Sequence, residues 1–469
     1  TELQRLHPQT KVEIPNAPLT TGNGTREHTF KEICATIQAL KKGKAAGPTA
    51  WTKELLQTLS LDLHTEIEQS QLTLLINKIC TARLPQHTLQ YLSTSILIPL
   101  DKGQGKCRPI VLGDLFLKLC FKMILFHTPA PFSDTNQFAF ASKGIAKLTT
   151  HLQQALDRGD IVIKLDISNA FNEVTRHGIY TVLRETRSLV QLYPLFDATY
   201  SKPSNLLVYH NKRLLHTIPS QEGVRQGCAA APFFFALGLL PIVLAFPNVY
   251  MYVDDMYLCT TTASAEHDLN TLVTALRAIH MDINSNKTQL IAHPTSVIPQ
   301  SLAHLPTSTT YSDVLGTVIF ASPSTASIAR QQKDSLLVLN APIPLQYKWL
   351  ILRHVVHSLI HYATLMDPNQ ATATLTQLTN HITTIFRQLL HTEVATTQLF
   401  APLANGGLGL PNYILLNKIH HKHITATLTP EEAECIVMFP KKHNIVHHNN
   451  LTAKAFREDH PTTFLHLQS

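Results

Sequence analysis

Alternating large residues meet at two adjacent aspartates in YMYVDDMYL, with Asp254 and Asp255 where the alternation breaks. Period-two alternation on both sides of a two-residue break predicts a β-hairpin, so this part of the chain is tied to an antiparallel sheet. A third carboxylate, Asp166, ends the apolar run IVIKLD about ninety positions earlier, a second predicted strand. Adjacent carboxylates at a hairpin tip raise each other's pKa unless a cation lies between them. Mg²⁺ is the natural cation, because it takes oxygen ligands and bridges to phosphates. A carboxylate on a neighbouring strand would complete a clamp for two ions about 4 Å apart, which suits phosphoryl transfer. The same string also fits a polar turn that contains Asp-Asp by accident, so its context decides.

Length and composition permit that context. The chain has 469 residues, 44% of them hydrophobic, enough for several packed subdomains. Lys and Arg exceed Asp and Glu by 39 to 32, a net charge of +7, with only 15% charged residues against an average of about 25%. Any surface for nucleic acid is therefore local, and the modest basic excess alone also fits proteins that never bind it. Seven scattered cysteines with no Cys-x-x-Cys suggest a reducing compartment. Two clusters, His420, His421 and His423, then Cys435, His443, His447 and His448, invite a zinc reading, but their spacings do not match short-loop zinc ligand pairs. No run approaches the roughly 18 apolar residues of a membrane span, and no signal peptide is read at the start. Thr1 as first residue suits a piece of a longer product.

Along the chain, Thr29 and Glu32 form a capping box that opens a helix to Leu40. Residues 92–112 predict a hairpin joined by DKGQGK, and Leu115 to Phe126 a helix. Thr175 to Arg184 follows as a helix, LLVYHNKRLLHTI as a hairpin and PFFFALGLLPIVLAF as an apolar helix. Leu269, Leu272, Val273, Leu276 and Ile279 mark an amphipathic helix, and DVLGTVIF reads as one strand. After Pro323 the pattern is helical, with Trp349 to Leu365 and Thr372 to Leu390 expected as an antiparallel pair across MDPN. The order predicts an α+β fold: a small antiparallel sheet backed by helices.

Read in order, GKAAGPTAWTKELL, KCRPIVL, KLDISNAFN, GVRQGCAAAPFFFAL, YVDDMYL, NSNKTQLI, VLGTVI and NGGLGLP resemble the fingers, palm and thumb blocks of reverse transcriptases. AAGP with a Trp-Thr pair, GVRQGC and GGLGL are most similar to the non-LTR retrotransposon branch, among them the site-specific spliced-leader-associated type. The resemblance runs from about residue 25 to 415 and implies a right-hand polymerase. It divides the chain into an N-terminal extension (1–24), fingers with some palm elements (25–160), palm (161–322), helical thumb (323–415) and a His-rich extension (416–469).

The resemblance also implies roles. Asp166 and Asp254 would ligate two Mg²⁺ ions, with the Ile167 carbonyl beside the nucleotide-side ion and Asp255 adding charge at the tip. Phe171 would sit beneath the sugar and exclude a ribose 2′-hydroxyl, favouring DNA as product; an ordinary core aromatic is the plainer alternative. Lys102 and Arg108 would close on the triphosphate, unless they are simply exposed hairpin cations. Gln226 would meet the sugar or primer-side base, with Gly223 and Gly227 allowing close approach. Lys287 would protonate departing pyrophosphate or be a solvated surface lysine, and Leu315 and Gly316 would grip the primer end. Lys41, Lys42 and Lys44 would meet template phosphates, or end a helix favourably.

The implied partners are an RNA template, a DNA primer and deoxynucleoside triphosphates, with no membrane. The implied location is nuclear or another reducing intracellular compartment, and an endonuclease would come from sequence outside this chain or from another protein. The chain departs from the family at Thr49 and Ala50, where Asp-Gly is common, at Ala139 for a usual glycine, and at Ala229 to Ala231 for a Pro-Leu-Ser type run. None removes a metal ligand, but they leave open a domesticated, noncatalytic RNA-binding scaffold. An RNA-directed RNA polymerase is the third reading, which Phe171 opposes.

Overall fold

The computed structural model describes residues 2–15, 26–103, 106–309, 312–315, 317–319, 325–356, 372–392, 394–401, 406–410 and 412–414. The chain divides into two compact units, Thr1–Ala141, Ile163–Leu258 and Ala263–Thr288 in one, and Ser142–Val162, Cys259–Thr262 and the part from Gln289 onward in the other.

In the first unit a short helical turn, α1 (Glu2–Arg5), precedes α2 (Phe30–Ala39). The Thr29 hydroxyl caps the Glu32 N–H while the Glu32 carboxylate returns to the Thr29 N–H, the predicted capping box. Helices α3 (Lys53–Asp62), α4 (Glu66–Cys80) and α5 (Gln86–Ser93) follow. Strands β1 (Ser95–Gly103) and β2 (Lys106–Leu112) form the expected hairpin, with a register shift between Asp101 and Gly103. Helix α6 (Leu115–His127) is capped by the Asp114 carboxylate, which accepts from the Phe116 and Leu117 N–H groups.

Strand β3 is Ile161–Asp166, followed by α8 (Ala170–Glu173), α9 (Arg176–Glu185) and α10 (Tyr193–Tyr200), the helix α7 (Gly144–Asp157) lying before β3 in the second unit. Strands β4 (Ser204–His210) and β5 (Arg213–Ser220) extend the first hairpin into a sheet of order β2-β1-β4-β5. Because β1 meets β4 in parallel, that sheet is mixed rather than purely antiparallel. Its core is Leu97, Val111, Leu206, Val208 and Ile218.

The apolar run 231–245 is helix α11 (Ala231–Ala245), buried on nearly every face, as a helix without a polar side must be. Its Phe234 meets Phe121, Phe196 and Tyr200 edge-on, and its Phe235 stacks on Phe171. Strands β6 (Val249–Tyr252) and β7 (Asp255–Thr260) pair antiparallel, and β6, β7 and β3 lie side by side in that order. Helix α12 (Ala265–Ala278) buries Leu272 and Leu276.

In the second unit β8 (Gln289–Ile291) and β9 (Thr307–Ser308) pair in parallel. DVLGTVIF is not one strand: β10 (Ser312–Val314) and β11 (Thr317–Ile319) pair antiparallel about Leu315, whose φ of 54° turns the chain back. The positive φ at Leu315 outweighs the apolar run, because a reversal forms where the backbone can take that conformation. Helices α13 (Thr325–Asn340) and α14 (Leu345–Ile351) lead into a π-helical turn at Leu352–Val356, and helices Thr372–Leu390 and Thr396–Phe400 follow. Leu378, Ile382, Phe386, Leu399 and Tyr413 are central to their core. Trp349 to Leu365 is helical as far as it is described, to Val356, and its remainder, the MDPN turn, Gly316 and the His-rich clusters lie outside the described residues. Among the described residues no helix is long and apolar enough to cross a membrane.

Candidate active site

Tyr252 pairs with Asp255 at the end of the β6–β7 register, so Val253 and Asp254 form a two-residue turn. Val253 has φ of 57°, a left-handed conformation that a β-branched residue takes at a cost. The Gln137 amide oxygen accepts the Val253 N–H at 3.0 Å. Asp254 occupies the second turn position and Asp255 heads β7, half-buried.

Strand β3 delivers Asp166 from the adjacent position in the sheet. Beyond it the chain pairs with the segment after α12: the Ser168 N–H donates to the Asp282 carbonyl at 2.8 Å, Ile167 bridges Ile283, and the Asn284 N–H donates to the Asp166 carbonyl at 2.7 Å. This pairing carries the following turn, so Lys287 reaches the Asp166 carboxylate at 3.1 Å. Neither expectation for Lys287 was an ion pair with a site aspartate, and both partners keep solvent access.

Asp254 is open to water on one side yet crowded by protein on the other. Desolvation raises its carboxyl above the ordinary aspartate range, and the Asp166 charge raises it further. Arg108 and Lys102 pull it back down, which places both exposed cations of the β1–β2 hairpin within electrostatic reach of the turn. The site is thus a carboxylate pair answered by three cations, Lys102, Arg108 and Lys287. Its donors are all oxygen, the class that suits Mg²⁺. Among the described residues no group of three or more His, Cys, Asp or Glu is gathered closely enough to hold a metal ion.

Phe171 is half-buried, one face stacked on Phe235 with centroids 4.9 Å apart, so core packing holds the ring in place. Its carbonyl accepts the Val224 N–H, joining α8 to the GVRQG loop. Gly223 and Gly227 have a reason inside the protein. A Cβ on Gly227 would lie 2.0 Å from the Val111 oxygen, and one on Gly223 would lie 2.4 Å from the Asn172 Cα. These glycines let the loop press its backbone against β2 and α8. The Gln226 carbonyl accepts the Val111 N–H at 2.7 Å, and Gln226 itself is half-buried. Leu315 turns the β10–β11 hairpin in the second unit.

Sequence reasoning missed three supports. Buried Arg176 donates to the Gly223, Tyr200 and Glu222 carbonyls and the Ser220 hydroxyl, and burial lowers its pKa to about 10. Buried Arg225 donates to Ser93, Thr199 and Ser204 and lies 4.3 Å over the Tyr200 ring. Gln137 is the third; its only signal is its place in the NQF run. The departure at Thr49 is absorbed by a hydrogen bond to Asp114, while Ala50 takes φ of 61°, where the family's usual glycine is unstrained. Lys118 on α6 loses proton affinity through desolvation and through Lys122, Lys44 and Lys41, so the predicted basic cluster gains two lysines from a second element.

Residues 100–319 match the reverse transcriptase (RNA-dependent DNA polymerase) family, and the sheets, turn and helices above give that stretch an α+β fold. The chain is similar to the retrotransposable element SLACS 132 kDa protein of Trypanosoma brucei gambiense, with 26% identity over 275 residues. That match covers 56% of this chain and 23% of the relative, so the chain spans about a quarter of that protein's length. Among solved structures, telomerase from Candida albicans in complex with a TWJ fragment of telomeric RNA matches at TM-score 0.38 and 12% identity, covering 77% of this chain and 66% of that one. Apo telomerase from Candida tropicalis matches at TM-score 0.41 and 10% identity, covering 80% and 67%.

Proposed function

We propose that the chain is an RNA-directed DNA polymerase of a retroelement, extending a primer 3′-hydroxyl with deoxynucleotides on an RNA template. The observation that carries this reading is the match of residues 100–319 to the reverse transcriptase family, with Asp166 ending β3 beside the β6–β7 hairpin that bears Asp254 and Asp255. Two Mg²⁺ ions would be held by Asp166 and Asp254, with Asp255 and the Ile167 carbonyl close in sequence; when bound they would activate the 3′-hydroxyl and neutralise the triphosphate. The protein's own residues position and screen. Lys102 and Arg108 suit the triphosphate, the half-buried Phe171 ring after β3 suits the sugar, Gln226 suits the sugar or primer-side base, and Lys287 suits the departing pyrophosphate. The division into fingers (25–160), palm (161–322) and thumb (323–415), with a primer grip at Leu315 and Gly316, belongs to the same proposal.

The test is primer extension on an RNA template with Mg²⁺, run with deoxynucleotides and ribonucleotides in parallel. Wild type should add deoxynucleotides, and Asp254→Asn should lose about 10³-fold or more in rate. Absence of extension with either nucleotide sinks the polymerase reading, and preference for ribonucleotides makes it an RNA polymerase. A noncatalytic RNA-binding scaffold is the second reading, favoured by Lys287 engaging Asp166. It requires RNA binding unchanged in Asp254→Asn with no extension by either protein.

A further inference from the structure

We infer that Gln137 is a positioning residue for the Asp-Asp turn, holding Val253 in its left-handed conformation and thereby fixing where Asp254 is presented. Its effect on catalysis rests on the polymerase reading, whereas the clamp itself rests on geometry alone. Val253 is β-branched and has φ of 57°, a conformation that persists only when the surroundings over-determine it. Gln137 supplies that determination. It is 1% exposed, its Oε1 accepts the Val253 N–H at 3.0 Å and the Ala139 N–H at 3.3 Å, and its Nε2 donates to the Val253 carbonyl over a longer 3.4 Å. One side chain thus addresses both main-chain polar groups of the strained residue. In an ordinary two-residue turn those groups are left to water.

The anchor is itself anchored. The Met251 N–H donates to the Asn136 carbonyl at 2.8 Å, the Asn136 amide donates to the Pro247 carbonyl at 2.7 Å, and Gln137 bridges Met251 in parallel. Residues 136–137 therefore run along β6 like a fragment of a strand, and Gln137 reaches past its end to the turn. Glutamine suits the role because its amide offers a donor and an acceptor on one stem. Glutamate would keep the acceptor, lose the donor and bring a further negative charge toward Asp254. Methionine would keep the volume and lose both bonds.

The experiment uses the full chain. Gln137→Met should speed amide hydrogen exchange across Met251–Met256 by about tenfold or more, since local opening is no longer opposed there. It should lower kcat by about 10- to 100-fold through misplacement of Asp254. KM for deoxynucleotide should stay within about twofold. Adding Val253→Asn, which tolerates positive φ, should restore kcat by several-fold, a rescue that a merely structural glutamine would not allow. Should Gln137→Met fail to fold, Gln137→Glu takes its place, with exchange faster than wild type. Unchanged exchange overturns the clamp, and so does a loss of kcat that Val253→Asn leaves untouched. If wild type extends no primer, the polymerase reading has failed, and the exchange result alone still supports or overturns the clamp.

Discussion

Asp254 and Asp166 raise the energy of the turn by sharing one electrostatic neighbourhood, and Lys287 relieves part of that by pairing with Asp166 at 3.1 Å. A cation arriving at Asp166 therefore competes with an ammonium for that carboxylate. Replacing Lys287 with Met should lower the Mg²⁺ concentration needed for half-maximal binding by about two- to fivefold, the value of an exposed ion pair. Titration with Mn²⁺ as a relaxation probe measures this without any turnover, and an unchanged midpoint would show that the pair does not compete. The identities of Asp166, Asp254 and Lys287 were all legible in the sequence. Their pairing was not, because Lys287 reaches Asp166 only through hydrogen bonds between 166–168 and 282–284. Such bonds are made by backbone and leave no signature in side-chain identity.

At the scale of elements, capping and periodicity read correctly where one helix or hairpin carried its own signal. The Thr29–Glu32 box, the 95–112 hairpin and the buried helix 231–245 all formed. The split of DVLGTVIF at Leu315 did not follow from its apolar run, since a two-residue reversal outranks β-propensity. Helix α7 begins badly: Lys143 is its N-cap at φ of 53°, and burial pushes its ammonium down to about 8 from 10.5. Between those values the unfolded chain holds the proton and the folded chain does not, so wild-type stability rises with pH across that window. Below it the charged form is penalised in full. Lys143→Gln should therefore stabilise the protein by up to about 3 kcal/mol near neutral pH, with the gain vanishing by about pH 10.5. Thermal melts of both proteins from pH 7 to 10.5 check this through their difference. The GVRQG loop depends on Arg176, whose guanidinium satisfies four oxygens in the interior. Arg176→Met should cost about 3–5 kcal/mol in urea unfolding, because those acceptors would be left unpaired.

Across the first unit, the N-terminal residues are stitched to the site's supports. The Leu6 carbonyl accepts from the Asn169 and Asn172 amides, the Lys11 N–H donates to Glu222, and the Lys11 ammonium pairs with Glu173 and donates to the His280 carbonyl. Thr10 donates to the Gln221 carbonyl, and the Pro15 carbonyl accepts from Tyr180. The strap therefore holds α8, the GVRQG loop and the end of α12 at once. Deleting residues 1–15 should lower the melting temperature by several degrees, at up to about 1 kcal/mol per lost hydrogen bond, and reduce extension with it. A truncated protein that melts and extends like the full chain would show the strap to be idle.

The sequence by itself determined the chemistry on offer: which residues carry carboxylates, which cations stand in the neighbouring blocks, and which runs become strands or helices. Those follow from side-chain identity and short-range spacing, which are local. Only the tertiary structure decided that Lys287 faces Asp166, that Gln137 braces Val253, and that Gly223 and Gly227 serve backbone contacts within the protein. Each joins residues more than fifty positions apart or main-chain atoms that every residue shares, so no local pattern encodes it.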